Sequence, residues 1–216
     1  MENERRIDRT TSMGMDEHRL SDILHASQIK ATDIYETPPQ IIWIDNSTIA
    51  TLGNFSASTG KAKSKKTFNV SALVAASLAG KQVLNYRAHL PEGKQRILYV
   101  DTEQSRFHCR SVLERILRLA GLPTTTDPEN LDFFCLREYS PSVRIEVIDY
   151  ALRQQKGYGL VIIDGIRDLM LDINNAGESV EVINRMMEWS SRYDLHIHCV
   201  LHLNKGDNNV RGHIGT

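Results

Sequence analysis

Lysine, glycine and threonine are concentrated in one short segment, residues 58–68, which reads STGKAKSKKTF. Gly60 is followed by four residues and then by Lys65, Lys66 and Thr67. This spacing matches a phosphate-binding loop at every defining position except the second glycine, which is replaced by Lys65. In such a loop, backbone amides at a helix N-terminus surround the phosphates, a lysine bridges them and a hydroxyl binds Mg²⁺. Lys66 and Thr67 are therefore the candidates for the last two tasks.

The same segment also allows a second register and a purely structural interpretation. From Gly53 to Gly60 and Lys61 there are six intervening residues, and Ala62 stands where the hydroxyl belongs. Four lysines in six positions are equally typical of a solvated surface turn. In the first register, the predicted nucleotide-binding residues are Gly60, Lys61, Lys63, Ser64, Lys65, Lys66, Thr67 and Phe68.

Two apolar segments further along the chain each end in carboxylates. Leu160–Asp164 reads LVIID, and Ile97–Glu103 reads ILYVDTE. A strand-end aspartate such as Asp164 orders water around a bound Mg²⁺, and we expect it to form the metal site with Thr67. Glu103 can orient and deprotonate an attacking water. The aspartate and threonine just before Glu103 can equally cap a helix, so this strand end also has a structural explanation.

Three histidines alternate along the last apolar segment, His196–Leu203. Period two places His196, His198 and His202 on one face of a strand, together with Asn204. We expect His202, at the carboxyl end, to contact the γ-phosphate of a nucleotide and the other two histidines to be structural. A zinc site at His196 and His198 is the alternative.

A polar segment, Lys205–Gly212, follows the histidine strand. Lys205 and Arg211 can supply cations to phosphate in a neighbouring subunit or to DNA. An ordinary exposed loop has the same composition, and both interpretations stay open.

Helical and strand patterns alternate along the chain that must position these residues. Residues 1–15 are polar and aperiodic, Asp16–Ala31 has helical spacing with Asp16 as its cap, and Pro38-Pro39 marks a boundary. The predicted strands are Ile41–Ile44, Thr48–Phe55, Arg96–Asp101, Leu131–Leu136, Leu160–Asp164 and His196–Leu203. The predicted helices are Thr67–Val83, Phe107–Ala120, Val143–Gln155 and Ser179–Arg192.

Strand–helix alternation predicts an α/β fold, a mainly parallel twisted sheet with helices on both faces. We expect residues 1–37 to form a flexible arm with one amphipathic helix, and residues 38–216 to form the main domain. In such sheets ligands bind beyond the carboxyl ends of the strands, which is where the candidate residues are placed.

Composition narrows the class of protein. The chain has 216 residues, of which 41% are hydrophobic and 25% charged, so a mainly disordered chain is excluded. The formal net charge of −1 excludes a globally basic nucleic-acid coat, and any phosphate or DNA site must be local. Three cysteines without metal-ligand spacing, and no apolar stretch of 18 residues, predict a cytoplasmic protein with reduced thiols.

The order of these features resembles the RecA-like ATPases over residues 41–216. The features are a phosphate loop, a strand ending in Val-Asp-Thr-Glu, an Ile-Ile-Asp strand, and a histidine strand followed by lysine and Arg-Gly. The resemblance is closest to RepA-type hexameric replicative helicases of plasmids. The Gly-Ile-Arg-Asp run at 165–168 is similar to mobilisation or excision ATPases of bacterial mobile elements. The resemblance implies ATP and Mg²⁺ as ligands, single-stranded DNA as partner and a homo-oligomeric ring.

The resemblance also implies a role for each matching residue. The lysine and threonine of the loop would bind the β/γ-phosphates and Mg²⁺, Glu103 would activate water, and Asp164 would end the Walker B strand. His202 would couple the γ-phosphate to the following loop, which faces DNA in that family. Lys205 or Arg211 would act on the site of a neighbouring subunit.

Two features depart from the family pattern. Lys65 replaces a glycine that allows a tight loop, and Thr216 ends the chain where a RecA-like sheet continues, so we expect a truncated domain. The alternative function is a nucleotide-binding DNA adaptor with little or no hydrolysis; a small-molecule kinase is a weaker third. The apolar stripe of the helix at 16–31 is interpreted as a clasp between subunits.

Overall fold

The structure is a computed structural model that describes residues 16–60, 65–172 and 176–202. Contacts divide the chain into two units, Met1–Thr37 and Pro38–Thr216. The helices of the described ranges are α1 Glu17–Ser27, α2 Lys66–Ala79, α3 Arg106–Ala120, α4 Pro141–Gln154 and α5 Ala176–Tyr193, with a short 3₁₀ helix at Ile166–Leu169. The strands there are β1 Gln40–Ile44, β2 Ser47–Thr51, β3 Phe55–Gly60, β4 Tyr86–Ala88, β5 Arg96–Asp101, β6 Leu131–Cys135, β7 Tyr158–Asp164 and β8 His196–His202.

In the first unit, helix α1 begins where the sequence predicts. The Asp16 carboxylate accepts the backbone N–H of Arg19 at 2.8 Å, which satisfies one of the free amides of the first turn. The helix ends at Ser27, four residues before the predicted end. None of its residues is buried, and Leu20 and Leu24 are exposed.

The second unit is built on a parallel sheet with the strand order β3-β8-β7-β5-β6. Every residue of β7 is buried, because helices cover both faces of the sheet. Side chains that point to one face join a core with α2 and α3, and those that point to the other join a core with α4 and α5. The predicted α/β fold with a mainly parallel sheet is confirmed.

A separate antiparallel sheet, in the order β2-β1-β4, packs into the core on the α2 face. The sequence pattern predicts a single strand over Thr48–Phe55, and this prediction is wrong. Strand β2 ends at Thr51, and a turn in which Gly53 has a φ of 74° separates it from β3 in the other sheet. Strand β3 has the largely polar sequence FSASTG, so it lacks the apolar run that indicates a buried strand.

Hydrogen bonds between side chains tie β3 to β8. Burial lowers the pKa values of His196 and His198 to about 4, so both rings are neutral at pH 7. The Thr51 carbonyl oxygen can only accept, so His196 Nδ1 donates to it at 2.9 Å. His196 Nε2 therefore accepts from the Ser56 hydroxyl at 2.8 Å.

The chain of hydrogen bonds continues in the same direction. His198 Nδ1 donates to the Ser56 oxygen at 2.8 Å, and His198 Nε2 accepts from the Ser58 hydroxyl at 2.9 Å. Every ring nitrogen of the pair thus has a protein partner. This agrees with the structural role predicted for both histidines and leaves no ring nitrogen available to a zinc ion.

Candidate functional site

The lysine-rich loop joins β3 to α2 at the carboxyl edge of the sheet. Gly60 ends β3, opposite His202 in β8. Lys66 is the first residue of α2 and is buried, and its Nζ donates to the Gly60 carbonyl at 2.6 Å. Burial lowers the pKa of Lys66, while the nearby carboxylates of Glu103 and Asp164 oppose that shift. The lysine is thus held at the mouth of the loop and faces two acids.

Lys65 immediately precedes α2 in the left-handed conformation, with φ 62° and ψ 25°. This is the position at which the loop pattern has glycine, and the conformation explains why glycine is preferred there. A residue with a Cβ loses about 1–2 kcal/mol in this conformation. The backbone therefore keeps a glycine-like shape although the residue is lysine.

Replacing Lys65 with glycine should stabilise the protein by roughly 0.5–1 kcal/mol, because relief of the left-handed strain exceeds the added entropy of the unfolded chain. The free energy of unfolding in urea measures the change. Lys81→Gly is the matched control, since Lys81 is an exposed residue outside the left-handed region. Equal effects of the two substitutions would contradict the strain at Lys65.

Asp164 ends β7 and is 3% exposed. Burial raises its pKa to about 6, and the charge of Asp101 adds to that shift. Hydrogen bonds from Tyr99 and Thr67 and the charge of Lys66 act in the opposite direction. The Thr67 hydrogen bond joins the first turn of α2 to the end of β7. It brings together the two residues that the sequence predicts as the metal site.

Tyr99 is a member of the site that sequence reasoning missed. Its ring is fully buried in β5 and stacks on Phe133 of β6, with ring centroids 4.3 Å apart. Its hydroxyl donates to Asp164 Oδ2 at 2.9 Å. The available signal was a tyrosine inside an otherwise aliphatic buried strand, because a buried phenol needs a hydrogen-bond partner.

The loop after β5 carries Glu103 and is shaped by Asp101. Asp101 Oδ1 accepts the backbone N–H groups of Glu103 at 3.0 Å and Gln104 at 2.7 Å. Asp101 Oδ2 accepts the side-chain amide of Gln104 at 2.7 Å. Ser105, not Asp101, immediately precedes α3 as its N-cap residue. The buried Asp101 therefore has the structural role of closing the loop from which Glu103 projects.

The carboxyl of Glu103 faces several charges, although the residue as a whole is exposed. Desolvation raises its pKa to about 7, and the charges of Asp168, Asp164 and Asp101 add to the shift in that order. Lys66 opposes it. A carboxyl with a pKa near neutrality can accept and release a proton under ordinary conditions, as a general base must.

Gly165 allows the loops after β5 and β7 to approach each other. Its φ is 108°, and a Cβ at this position would lie 2.2 Å from Thr102 Oγ1 and 2.9 Å from Glu103 Cγ. Neither distance is compatible with a side chain larger than hydrogen. Glycine is thus required here by the close packing of the Glu103 loop against the end of β7.

The other predicted site residues are placed as follows. Phe68, in the first turn of α2, is 40% exposed. His202 ends β8, but its side chain lies outside the described residues. The remaining predicted residues also lie outside the described ranges; these are Lys61, Lys63, Ser64, Lys205 and Arg211.

The donor set fits Mg²⁺ better than a transition metal. Within residues 16–60, 65–172 and 176–202, no cluster of three or more histidine, cysteine or acidic side chains is arranged to hold a metal ion. Thr67 and Asp164 offer a hydroxyl and a carboxylate side by side. Mg²⁺ is commonly held by one or two such protein oxygens together with substrate phosphates and water.

The chain matches a protein family, whereas comparison with the curated proteins finds no match. In the part of the chain that the structure describes, no helix is long and apolar enough to span a bilayer. Residues 20–208 match the AAA domain family. Because this match covers most of the sequence and includes every strand and helix around the Lys66–Asp164 site, the chain belongs to the AAA domain family, which indicates a nucleotide-binding ATPase.

Proposed function

We propose that the protein hydrolyses ATP with Mg²⁺ at the carboxyl edge of the parallel sheet. The observation that carries this proposal is the hydrogen bond between Thr67 and Asp164, together with a buried lysine, Lys66, that interacts with the carboxylates of Asp164 and Glu103. A hydroxyl at the start of a helix, a strand-end carboxylate, a buried lysine and a separate glutamate form the donor set that phosphoryl transfer requires.

Each of these residues has one task in the proposed reaction. Lys66 binds the phosphates, for which its bond to the Gly60 carbonyl is exchanged. Thr67 and Asp164 hold Mg²⁺, whose charge offsets that of the phosphates. Glu103 orients the attacking water and takes up its proton. Since this task requires the unprotonated carboxylate, turnover should fall as the pH drops through about 7, the pKa of Glu103.

We further propose that ATP hydrolysis is coupled to DNA in a ring of identical subunits, as in helicases of the RepA type or ATPases that mobilise genetic elements. This part of the proposal is supported by the sequence resemblance and by the cationic candidates Lys205 and Arg211. In it, His202 responds to the γ-phosphate, and the apolar side of α1 joins subunits. The alternative, a nucleotide-binding adaptor without appreciable hydrolysis, is motivated by the departure of Lys65 from the sequence pattern of the loop.

Steady-state release of phosphate from ATP, with and without single-stranded DNA, separates the two functions. We expect Mg²⁺-dependent turnover that DNA stimulates in the wild-type protein. Glu103→Gln should lower turnover on the order of 10²–10⁴-fold, with little change in the dissociation constant for ATP, because it removes a proton acceptor and keeps the shape.

Glu129→Gln is the control, since Glu129 is an exposed glutamate in the segment between α3 and β6. Normal turnover by Glu103→Gln would remove Glu103 from the catalytic role. Tight ATP binding without turnover in the wild type would favour the adaptor. Light scattering of the same samples with ATP measures the oligomeric mass, and a monomer under turnover conditions would contradict the ring.

A further inference from the structure

Arg144 of α4 binds three backbone carbonyl groups from two loops at the carboxyl edge of the sheet. Its guanidinium donates to the carbonyl oxygens of Leu136 at 3.0 Å, Arg137 at 2.8 Å and Asp168 at 2.5 Å. Leu136 and Arg137 follow β6, whereas Asp168 belongs to the 3₁₀ helix that follows β7. The planar fork of arginine can satisfy several acceptors at once, so Arg144 fixes these two loops relative to each other.

The side chain of Asp168 continues this connection to the loop after β5. Asp168 Oδ2 lies 3.0 Å from Thr102 Oγ1, within hydrogen-bond distance. The same hydroxyl lies 2.9 Å from the Gly165 carbonyl oxygen and 3.1 Å from that of Asp164. Thr102 is thus surrounded by acceptors from the end of β7 and the 3₁₀ helix. Because Thr102 immediately precedes Glu103, fixing Thr102 fixes the origin of the Glu103 side chain.

Asp168 is also close to Glu103 in space. A Cβ placed on Gly165 would be 2.9 Å from Glu103 Cγ and 3.1 Å from Asp168 Oδ2, so these two atoms are within about 6 Å of each other. Among the acids of the described residues, Asp168 has the largest charge effect on Glu103. The other charged groups that act on Glu103 in this part of the chain are Asp164, Asp101 and Lys66. A negative charge at this range opposes the ionisation of Glu103.

We propose that Asp168, anchored through its backbone by Arg144, is the positioning residue of Glu103: it holds the loop that carries this glutamate and supplies the negative charge that faces it. The inference rests on the proposed function, in which Glu103 is the proton acceptor. Asp168 touches no reacting atom in this scheme. It acts on the position of Glu103 through Thr102. Its charge also raises the pH above which the Glu103 carboxyl is unprotonated.

The pH dependence of ATP turnover in Asp168→Asn tests the electrostatic part. Asparagine keeps the size of the side chain and an acceptor oxygen for Thr102, but it removes the charge. We expect the acidic limb of the kcat profile to move to lower pH by roughly one unit, with KM for ATP unchanged. Asp127→Asn is the control, because Asp127 is exposed in the segment before β6. A wild-type midpoint in Asp168→Asn would overturn the proposal.

Two further variants test the positioning part. Arg144→Lys keeps the charge but cannot reach three carbonyls at once, so the plateau of kcat should fall on the order of 10-fold or more at unchanged KM. Arg153→Lys, in the exposed last turn of the same helix, should have no effect.

If Asp168→Asn does not fold, Asp168→Glu serves instead. Its longer side chain keeps the charge, so the proposal requires a wild-type midpoint with a lowered plateau.

A direct titration separates failure of this inference from failure of the proposed function. The ¹³C signal of the Glu103 carboxyl, assigned with Glu103→Gln, gives its pKa without any turnover. A lower pKa in Asp168→Asn supports the contact even if the wild type hydrolyses no ATP. An unchanged pKa in a protein that does hydrolyse ATP would refute Asp168 alone and leave the ATPase proposal intact.

Discussion

Lys66→Ala should weaken ATP binding by roughly 100-fold or more, the largest loss of affinity expected from any single substitution in the protein. The lysine is buried at the mouth of the loop between β3 and α2, so its ammonium group has few solvent partners to replace. A charged hydrogen bond to phosphate in such a place contributes about 1.5–3 kcal/mol, and Coulomb attraction to the triphosphate adds to this. Isothermal calorimetry with a non-hydrolysable ATP analogue measures the change.

Lys81→Ala is the control for the loss of one positive charge, because Lys81 is exposed just after the same helix. A melting curve for each variant verifies folding. The variant should still fold, since burial already disfavours the charged form of Lys66. Wild-type affinity in a folded Lys66→Ala protein would refute the assignment of this segment as the phosphate loop.

Gly165→Ala should abolish most ATP turnover, by about 100-fold or more, and should also destabilise the protein. The added methyl group would overlap the Thr102 hydroxyl and press on Glu103, so the loop that carries this proposed proton acceptor must move. Displacement of a catalytic group by about 1 Å is sufficient for a 10²-fold loss. The left-handed φ of 108° adds strain of about 1–3 kcal/mol.

Gly53→Ala separates these two effects. Gly53 also has a positive φ, 74°, but a Cβ there has no neighbour within 4 Å. This control should therefore lose stability and keep its turnover. Phosphate release and urea unfolding, measured on both variants, give the comparison. If Gly165→Ala lost no more turnover than Gly53→Ala, the packing of Glu103 against the end of β7 would not matter for the reaction.

The parts of the fold that the sequence predicts well are those whose burial leaves a local pattern. Strand β5 is predicted with its observed bounds, and β7 is found with two further residues at its start, because both are continuous apolar runs. Strand β3 is not predicted, because half of its residues are exposed and the others are serines and a glycine, which become partly buried only in the folded sheet. Its pairing with β8 over 140 residues of sequence has no local signature.

The same distinction applies to the candidate site. Lys66, Thr67, Asp164 and Glu103 lie at strand ends and a helix start, so position along the chain is enough to select them. Tyr99 and residues such as Arg144 and Asp168 contribute through contacts between separate elements. Nothing in a single sequence indicates which tyrosine reaches a carboxylate, or which arginine spans two loops. These contacts are visible in the folded chain alone.

The edge position of β3 has a mechanical consequence for the loop that it presents. In the described residues, β3 pairs with β8 on one side and with no strand on the other, whereas β7 pairs on both sides. Displacing β3 would thus break one ladder of hydrogen bonds, together with the serine–histidine chain, and displacing β7 would break two. The strand leading into the lysine-rich loop is therefore held by one ladder and the strand that carries Asp164 by two, so a force applied at the loop should displace β3 before it displaces Asp164.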